Sequence, residues 1–387
     1  MNTIFKITFR EWKRIFSLPA HYWVLIVIPP LLFFLYAYIY EKQKAEKLPV
    51  AIFDEDHSAI SRQLIFLMEQ TESIHFTTTV NSYKELQTNM REGKIMAAVY
   101  FPQGLERNIK SRNPATVGFY TNASFMVTAK LMYKDAANVL IAGGLGVVLQ
   151  KLEKKGMPAD KAMALVQPIK LITYPLYNPQ FNYQEYLVPG LITVAMQMII
   201  ILIGVLLLNY EWKTNSIHEL IKVANGSASN IIIGKLIAHL AIAWLNFILI
   251  AGIIFPIFEI GNSEGMFSFF VLYTLLAIAC LGVGFLLSSI FMDVMLCTDI
   301  AIFYTSPAFV FSGYTFPRWA MPWYDQYYAQ IMPYAPFLDA FIKVNNMQLP
   351  LRYAQPEMLK LLCFIIITYP LAIIFFQKKC NQLYHTA

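Results

Sequence analysis

EWKTNSIHELIKVANGS, residues 211–227, is a polar stretch between two long apolar runs, Leu187 to Asn209 and Ile231 to Phe258. Each run is long enough to cross a hydrocarbon core, which takes about 20 residues of helix. The stretch therefore reads as a connection between two membrane spans. Composition agrees: of 387 residues, 57% are hydrophobic and 14% charged, with mean hydropathy +0.49, far from a soluble average. Six runs qualify as spans: about Tyr22 to Tyr40, the two already named, Phe267 to Ile290, Val294 to Gly313 and Met358 to Phe376. VLIAGGLGVVL, Val139 to Leu149, is short and glycine-rich and reads as a buried helix of a soluble domain.

Lys6, Arg10, Lys13 and Arg14 precede the first run, as in a secretion signal, but YAYIYEKQKAEK follows it without an A-x-A-like site. It reads as a retained span. Those bases, Lys213 and Lys222 in the polar stretch, and Lys378 and Lys379 after the last run belong on the cytoplasmic side. Six spans with both termini inside satisfy this. The net charge of +6 is then interfacial, and nucleic-acid binding is not expected. Cys280, Cys297, Cys363 and Cys380 fall in spans or in the tail, so no disulfide framework is expected. The six histidines lack ligand spacing, so no metal site is expected either.

The fold expected is an α-helical polytopic membrane protein of six transmembrane helices, with an α/β extracytoplasmic domain inserted between the first and second spans. Residues 1–21 place Ile4, Phe5, Ile7, Trp12, Ile15 and Phe16 among bases at helical spacing, as in a helix lying on the membrane surface. Residues 22–40 are the first span. The hydrophilic insertion, 41–186, alternates strands (LPVAIFDED, SIHFTTTV, KIMAAVYFP, PATVGFYTN) with helices near 58–71, 82–91 and 103–111, then turns helical over 124–155 and 159–166. Residues 187–377 hold five further spans, and 378–387 form a cytoplasmic tail. Between the fifth and sixth spans, 314–346 is broken by Pro317, Pro322, Pro333 and Pro336 and rich in Trp and Tyr, as in short interfacial or re-entrant helices. An aromatic belt explains the same residues; as an external gate the segment would use Pro317, Trp319, Pro322 and Trp323.

Within the opening stretch, Ser216 and Glu219 have the S-x-x-E form of a capping box. The helix expected runs over 216–225 in about three turns, with Ile217, Leu220, Ile221 and Ala224 on one face, His218, Glu219 and Lys222 on the other, and Gly226 as its stop. A capped connector between spans fits these residues as well as a docking element does.

EWKTNSIHELIKVANGSASNIIIGKL resembles the cytoplasmic coupling segment of type-2 ABC exporter permeases, close to E-W-E-R-G-T-x-E-x-L-x-x-T-P followed by x-x-x-G-K. Glu211, Trp212, Leu220, Gly234 and Lys235 match, while Asn215, Ser216 and Ala224 replace the usual Gly, Thr and Pro. LYNPQFNYQEYLVPGLI (176–192), with Asn178-Pro179 and Pro189-Gly190, resembles the family's entry into the second span. FSGYTFPRWAMPW (311–323) resembles its S-G-x-x-x-P-x-x-x-M-P element after the fifth. The nearest subgroup carries a large external domain and includes multidrug-type exporters of bacterial inner membranes. The resemblance implies an ATPase-coupling role for Glu211, Trp212, Asn215, Ser216, His218, Glu219, Leu220, Lys222 and Val223. It further implies export of a hydrophobic or amphipathic substrate, a second permease subunit in a homodimer or heterodimer, contact with membrane lipids, and room for a periplasmic adaptor.

No G-x-x-x-x-G-K-[ST] loop is present, so ATP and Mg would be bound by separate ABC ATPase subunits and this chain would hold no cofactor. Nor is there a nucleophile elbow or an H-E-x-x-H sequence. Two other readings remain open: a receptor or scaffold whose external domain binds a ligand without transport, and a membrane enzyme, for which no constellation is found.

Overall fold

The structure, a computed structural model, describes residues 3–17, 22–41, 45–111, 113–168, 176–178, 182–260 and 265–386. The chain divides into two compact units: one of residues 1–43 with 175–387, the other of residues 44–174.

In the first unit, α1 (Thr3–Ser17) precedes an apolar helix α2 (Trp23–Ile39) that begins with a π-helical turn, Trp23–Val27. The chain returns as α8 (Tyr183–Lys213), α9 (Ile217–Val223), α10 (Ala228–Ile257), α11 (Met266–Phe291), α12 (Val294–Phe311), the short α13 (Trp323–Gln330) and α14 (Tyr334–Phe341), and α15 (Gln355–Thr386), with α3 to α7 in the other unit. Helices α8, α10, α11, α12 and α15 are long and apolar enough to span; α2 is shorter. α8 and α11 sit at the centre. A Cβ on Gly284 would stand 2.6 Å from the Gly204 Cα and from the Ile201 carbonyl, so these two glycines let the backbones of α11 and α8 touch. Close approach of this kind holds helices together in lipid, where burial of apolar surface gives no drive.

In the second unit, β1 (Leu48–Asp54), α3 (Ala59–Glu69), β2 (Ile74–Thr79), α4 (Tyr83–Arg91), β3 (Ala97–Phe101), α5 (Leu105–Lys110) and β4 (Gly118–Thr121) build a four-stranded sheet of order β2-β1-β3-β4. β1 runs parallel to β2 and β3, and β4 is antiparallel to β3. A capping box between Ser58 and Ser61 starts α3. One sheet face packs Val50, Val99 and Phe101 against Leu64 and Met68 of α3 and Met132 and Ala136 of α6 (Met126–Glu153). The other packs Ala51, Phe53 and Ala98 against Leu86 of α4. α7 (Ala159–Val166) follows. Here the expectation for Val139 to Leu149 is corrected. These residues belong to the 28-residue α6, which is itself long and apolar enough to count as a span, and Ile141 and Val148 are exposed. Its buried contacts come instead from Ala129, Met132 and Ala136, upstream of the glycines.

Two glycines separate packing from propensity. Gly284→Ala should lower stability by about 1–3 kcal/mol through overpacking. Gly144→Ala, where a Cβ meets nothing within 4 Å, should raise it by up to about 1 kcal/mol. Thermal unfolding in detergent checks both signs.

Candidate functional site

The opening stretch folds as a corner between α8 and α10. At its start Glu211, fully buried, accepts a two-pronged bond from Arg10 (Nη1–Oε1 2.9 Å, Nη2–Oε2 3.0 Å). It also accepts from Arg14 Nη1 at 2.6 Å and from Lys235 Nζ at 2.9 Å. Lys235, equally buried, reaches Glu11 Oε2 at 2.6 Å; Arg14 Nη2 meets Glu11 Oε1 at 2.7 Å, and His239 Nε2 lies 3.3 Å from that oxygen. Two buried carboxylates thus face the side chains of Arg10, Arg14 and Lys235. Arg14 also lies over the Tyr210 ring, 5.0 Å from its centroid.

α1 supplies half of this cluster because one stripe of it, Ile7, Thr8, Glu11 and Ile15, is buried. Gly234 makes the approach possible: a Cβ there would stand 2.8 Å from the Ile7 side chain. The Thr8 hydroxyl donates to the Gly234 carbonyl at 2.9 Å, and Trp12 Nε1 to the Ala238 carbonyl at 3.2 Å. The Gly-Lys pair of the motif therefore has two jobs, one to admit α1 and the other to neutralise Glu11 and Glu211. Phe5, Phe9 and Phe16 remain exposed on another side of α1, as a lipid-facing stripe would require.

The capping box expected at Ser216 is not formed. Ser216 is itself in helical conformation, its side chain makes no cap bond, and its hydroxyl donates instead to Glu211 Oε2. A helical φ/ψ turns the hydroxyl away from the first-turn amides. α9 is also shorter than expected, covering 217–223 rather than 216–225. Asn215 turns the chain in the left-handed region (φ 53), which accounts for Gly at that place in the motif, and Asn tolerates it. Asn225 (φ 53) and Gly226 (φ 74) end the helix, with the Gly226 amide donating to the Ile221 carbonyl.

The named coupling residues divide by direction. Glu211 and Leu220 are buried, as are their neighbours Ile217 and Ile221, and Trp212 and Val223 pack half-buried against the same core. Asn215, His218, Glu219 and Lys222 face outward, with Glu219 Oε2 3.9 Å from Arg10. Past α9, Gln377 of α15 holds the turn: its side chain accepts from the Ala228 amide and donates to the Gly226 carbonyl, both at 2.8 Å. Sequence reasoning missed Glu11, Arg10, Arg14, His239 and Gln377 as parts of the site. The available signal was Glu11, the lone acid of α1, on the stripe of Ile7 and Ile15.

At the far end of α8, about 45 Å away for a helix of this length, the other two motifs meet. A Cβ on Gly190 would stand 2.3 Å from the Tyr314 ring, and the buried Tyr334 hydroxyl donates to the Gly190 carbonyl at 2.8 Å. Pro179 lies outside the described residues. Of the four gate residues, Pro317 and Pro322 precede short helices, while Trp319 and Trp323 are 83% and 72% exposed. The buried aromatics of this segment are instead Tyr314 and, in α14, Tyr334, Phe337 and Phe341.

α1 is thus tied by buried ions to the corner after α8, in a unit whose long helices are of membrane-spanning length, as in a polytopic membrane protein. The model of the ABC-2 family transporter proteins matches residues 21–374, and the chain belongs to that family, as an ABC-2 type permease. It is similar to the probable multidrug ABC transporter permeases YbhS and YbhR of Escherichia coli K12. Identity is 23% to each, over 81% of this chain and 80% of YbhS, and over 75% of this chain and of YbhR.

Burial alone would raise the Glu11 carboxyl, but Lys235, the bond to His239 and Arg14 outweigh it and hold the group well below the usual carboxylate range. A depressed folded-state pKa contributes stability that is complete above the unfolded value, about 4.3 for Glu, and is lost as pH falls below it. The unfolding temperature should therefore change little from pH 7 to 5 on this account and drop below about pH 4.3. Glu11→Gln should flatten that acid limb.

Proposed function

We propose that the chain is the membrane half of an ATP-driven exporter for hydrophobic or amphipathic compounds, pairing with a second permease subunit. The observation that carries this reading is the division of α9, whose inner face is locked by Leu220 and the Glu211 cluster while His218, Glu219 and Lys222 stand outward. A short helix held on one side and charged on the other is built to be pushed. Separate ABC ATPase subunits, which bind ATP and Mg, dock on that outer face, and their closure switches the spans between inward and outward access. The basic residues of α1 and of the α8–α9 corner support a cytoplasmic side for this end. The unit of residues 44–174 then lies outside, in a bacterial inner membrane on the periplasmic side, where an adaptor protein has room to dock. The names of YbhS and YbhR support the substrate class. A receptor or scaffold has no use for a helix braced in this way.

Because Leu220 is fully buried, Leu220→Asp tests folding rather than docking. The docking face is tested by His218→Glu with Lys222→Glu. This pair should express and melt like the wild type, yet lose co-purification with the ATPase encoded beside it and abolish ATP-driven efflux. Retained assembly and efflux would contradict the reading.

A further inference from the structure

At the end of α8 remote from α9, a cavity of about 410 Å³ opens beside the stacked rings of Tyr186 and Tyr314. That volume suits a small organic ligand. The rings are 4.9 Å apart and 11° from parallel, and Tyr186 keeps 37% of its surface exposed. Asn345, Asn346 and Gln348 line another part of the wall. Asn345 and Asn346 sit in a π-helical turn, a local widening that recurs at functional sites. Gln348 and Gly313 on the rim are both left-handed (φ 55 and φ 91).

The charges around the cavity are unequally satisfied. Arg318 is spent on Asp339, and Lys343 on Glu357. Glu185, which lines the cavity, has among the described residues no cation paired with its carboxylate and no donor bonded to it. Pro189 lacks the amide that would otherwise bond the Glu185 carbonyl, so this helical turn also presents a free backbone acceptor. One unpaired carboxylate, an aromatic face and amide oxygens together form the surroundings that favour an ammonium or other organic cation.

We propose that this cavity is a binding site for an organic cation, occupied at the release end of the transport path. The site rests on the export reading for its place in the cycle, though not for its binding chemistry. An amphipathic cation would set its charge against Glu185 and a flat or methylated part against Tyr186. The same ammonium chemistry is offered by a soluble drug-like cation and by an ethanolamine lipid headgroup.

The test uses the full chain purified in a non-ionic maltoside detergent, with ethidium as the cationic probe and Nile red as a neutral one, both followed by fluorescence. Glu185→Gln should weaken ethidium binding by roughly fivefold while leaving Nile red unchanged. Asn346→Lys, which sets a cation across the cavity, should do the same. Added phosphatidylethanolamine that competes with ethidium identifies the headgroup as the source, and lack of competition identifies the soluble cation. Ethidium affinity unchanged in both variants, or Nile red lost in parallel, would overturn the site. Failure of the export reading would show separately, as intact ethidium binding with no ATP-driven movement of either probe in vesicles holding chain and ATPase together.

Discussion

The carboxylate of Glu211 is the point on which one end of the bundle depends. It is fully buried, and its two oxygens take bonds from Arg10 and Arg14 of α1, from Lys235 of α10 and from Ser216 at the head of α9. Three segments, α1, the head of α9 and α10, thus share one acceptor on α8. Buried ion clusters are weak evidence of net stability, but removing one partner strands a charge in an apolar site and costs about 3–5 kcal/mol. The cluster is therefore best described as a joint. α1, the corner at α9 and the near ends of α8 and α10 cannot move apart without stranding a charge. With Gln377 closing the turn from α15, a displacement of α9 reaches three long helices at once.

α8 is placed to carry such a displacement lengthwise. It is bonded at its foot through Glu211, touches α11 backbone to backbone at Gly204 and Gly284, and ends against Tyr314 at Gly190. Each of the three stretches that resemble the family's pattern bears on this one helix, and Gly190, Gly234 and Gly313 among them stand where a side chain would collide. A stiff helix with contacts of that kind at foot, middle and head suits a part that turns motion at one end into a change at the other, where Glu185 and Tyr186 line the cavity.

Much of the fold was legible. Five of the six span positions, the strand and helix sequence of the insertion and the outward set on α9 follow from hydropathy and from the 2.0 and 3.6 periods, because each depends on neighbours in the chain. What was not legible depends on partners distant in sequence. Ser216 fits a capping box by spacing, yet its hydroxyl goes to Glu211, because a buried carboxylate competes more strongly than a first-turn amide. Arg10 and Arg14 read as topology signals, and only the fold shows that they neutralise Glu211. The length of α6 was legible, since a helix was expected over 124–155, but its apolar second half was read as buried, and Ile141 and Val148 are exposed. Trp319 and Trp323 drew attention by residue type, although the buried aromatics of that region are Tyr314 and three residues of α14.

The central claim is that α1 and the α8–α9 corner move as one block when the ATPase closes. Spin labels on Lys6 of α1 and Lys213 at the end of α8, both exposed, report on it directly by pulsed distance measurement in the assembled complex. The account predicts the same distance distribution in the nucleotide-free and ATP-trapped states. A shift of one helical turn, about 5 Å, between those states would contradict it.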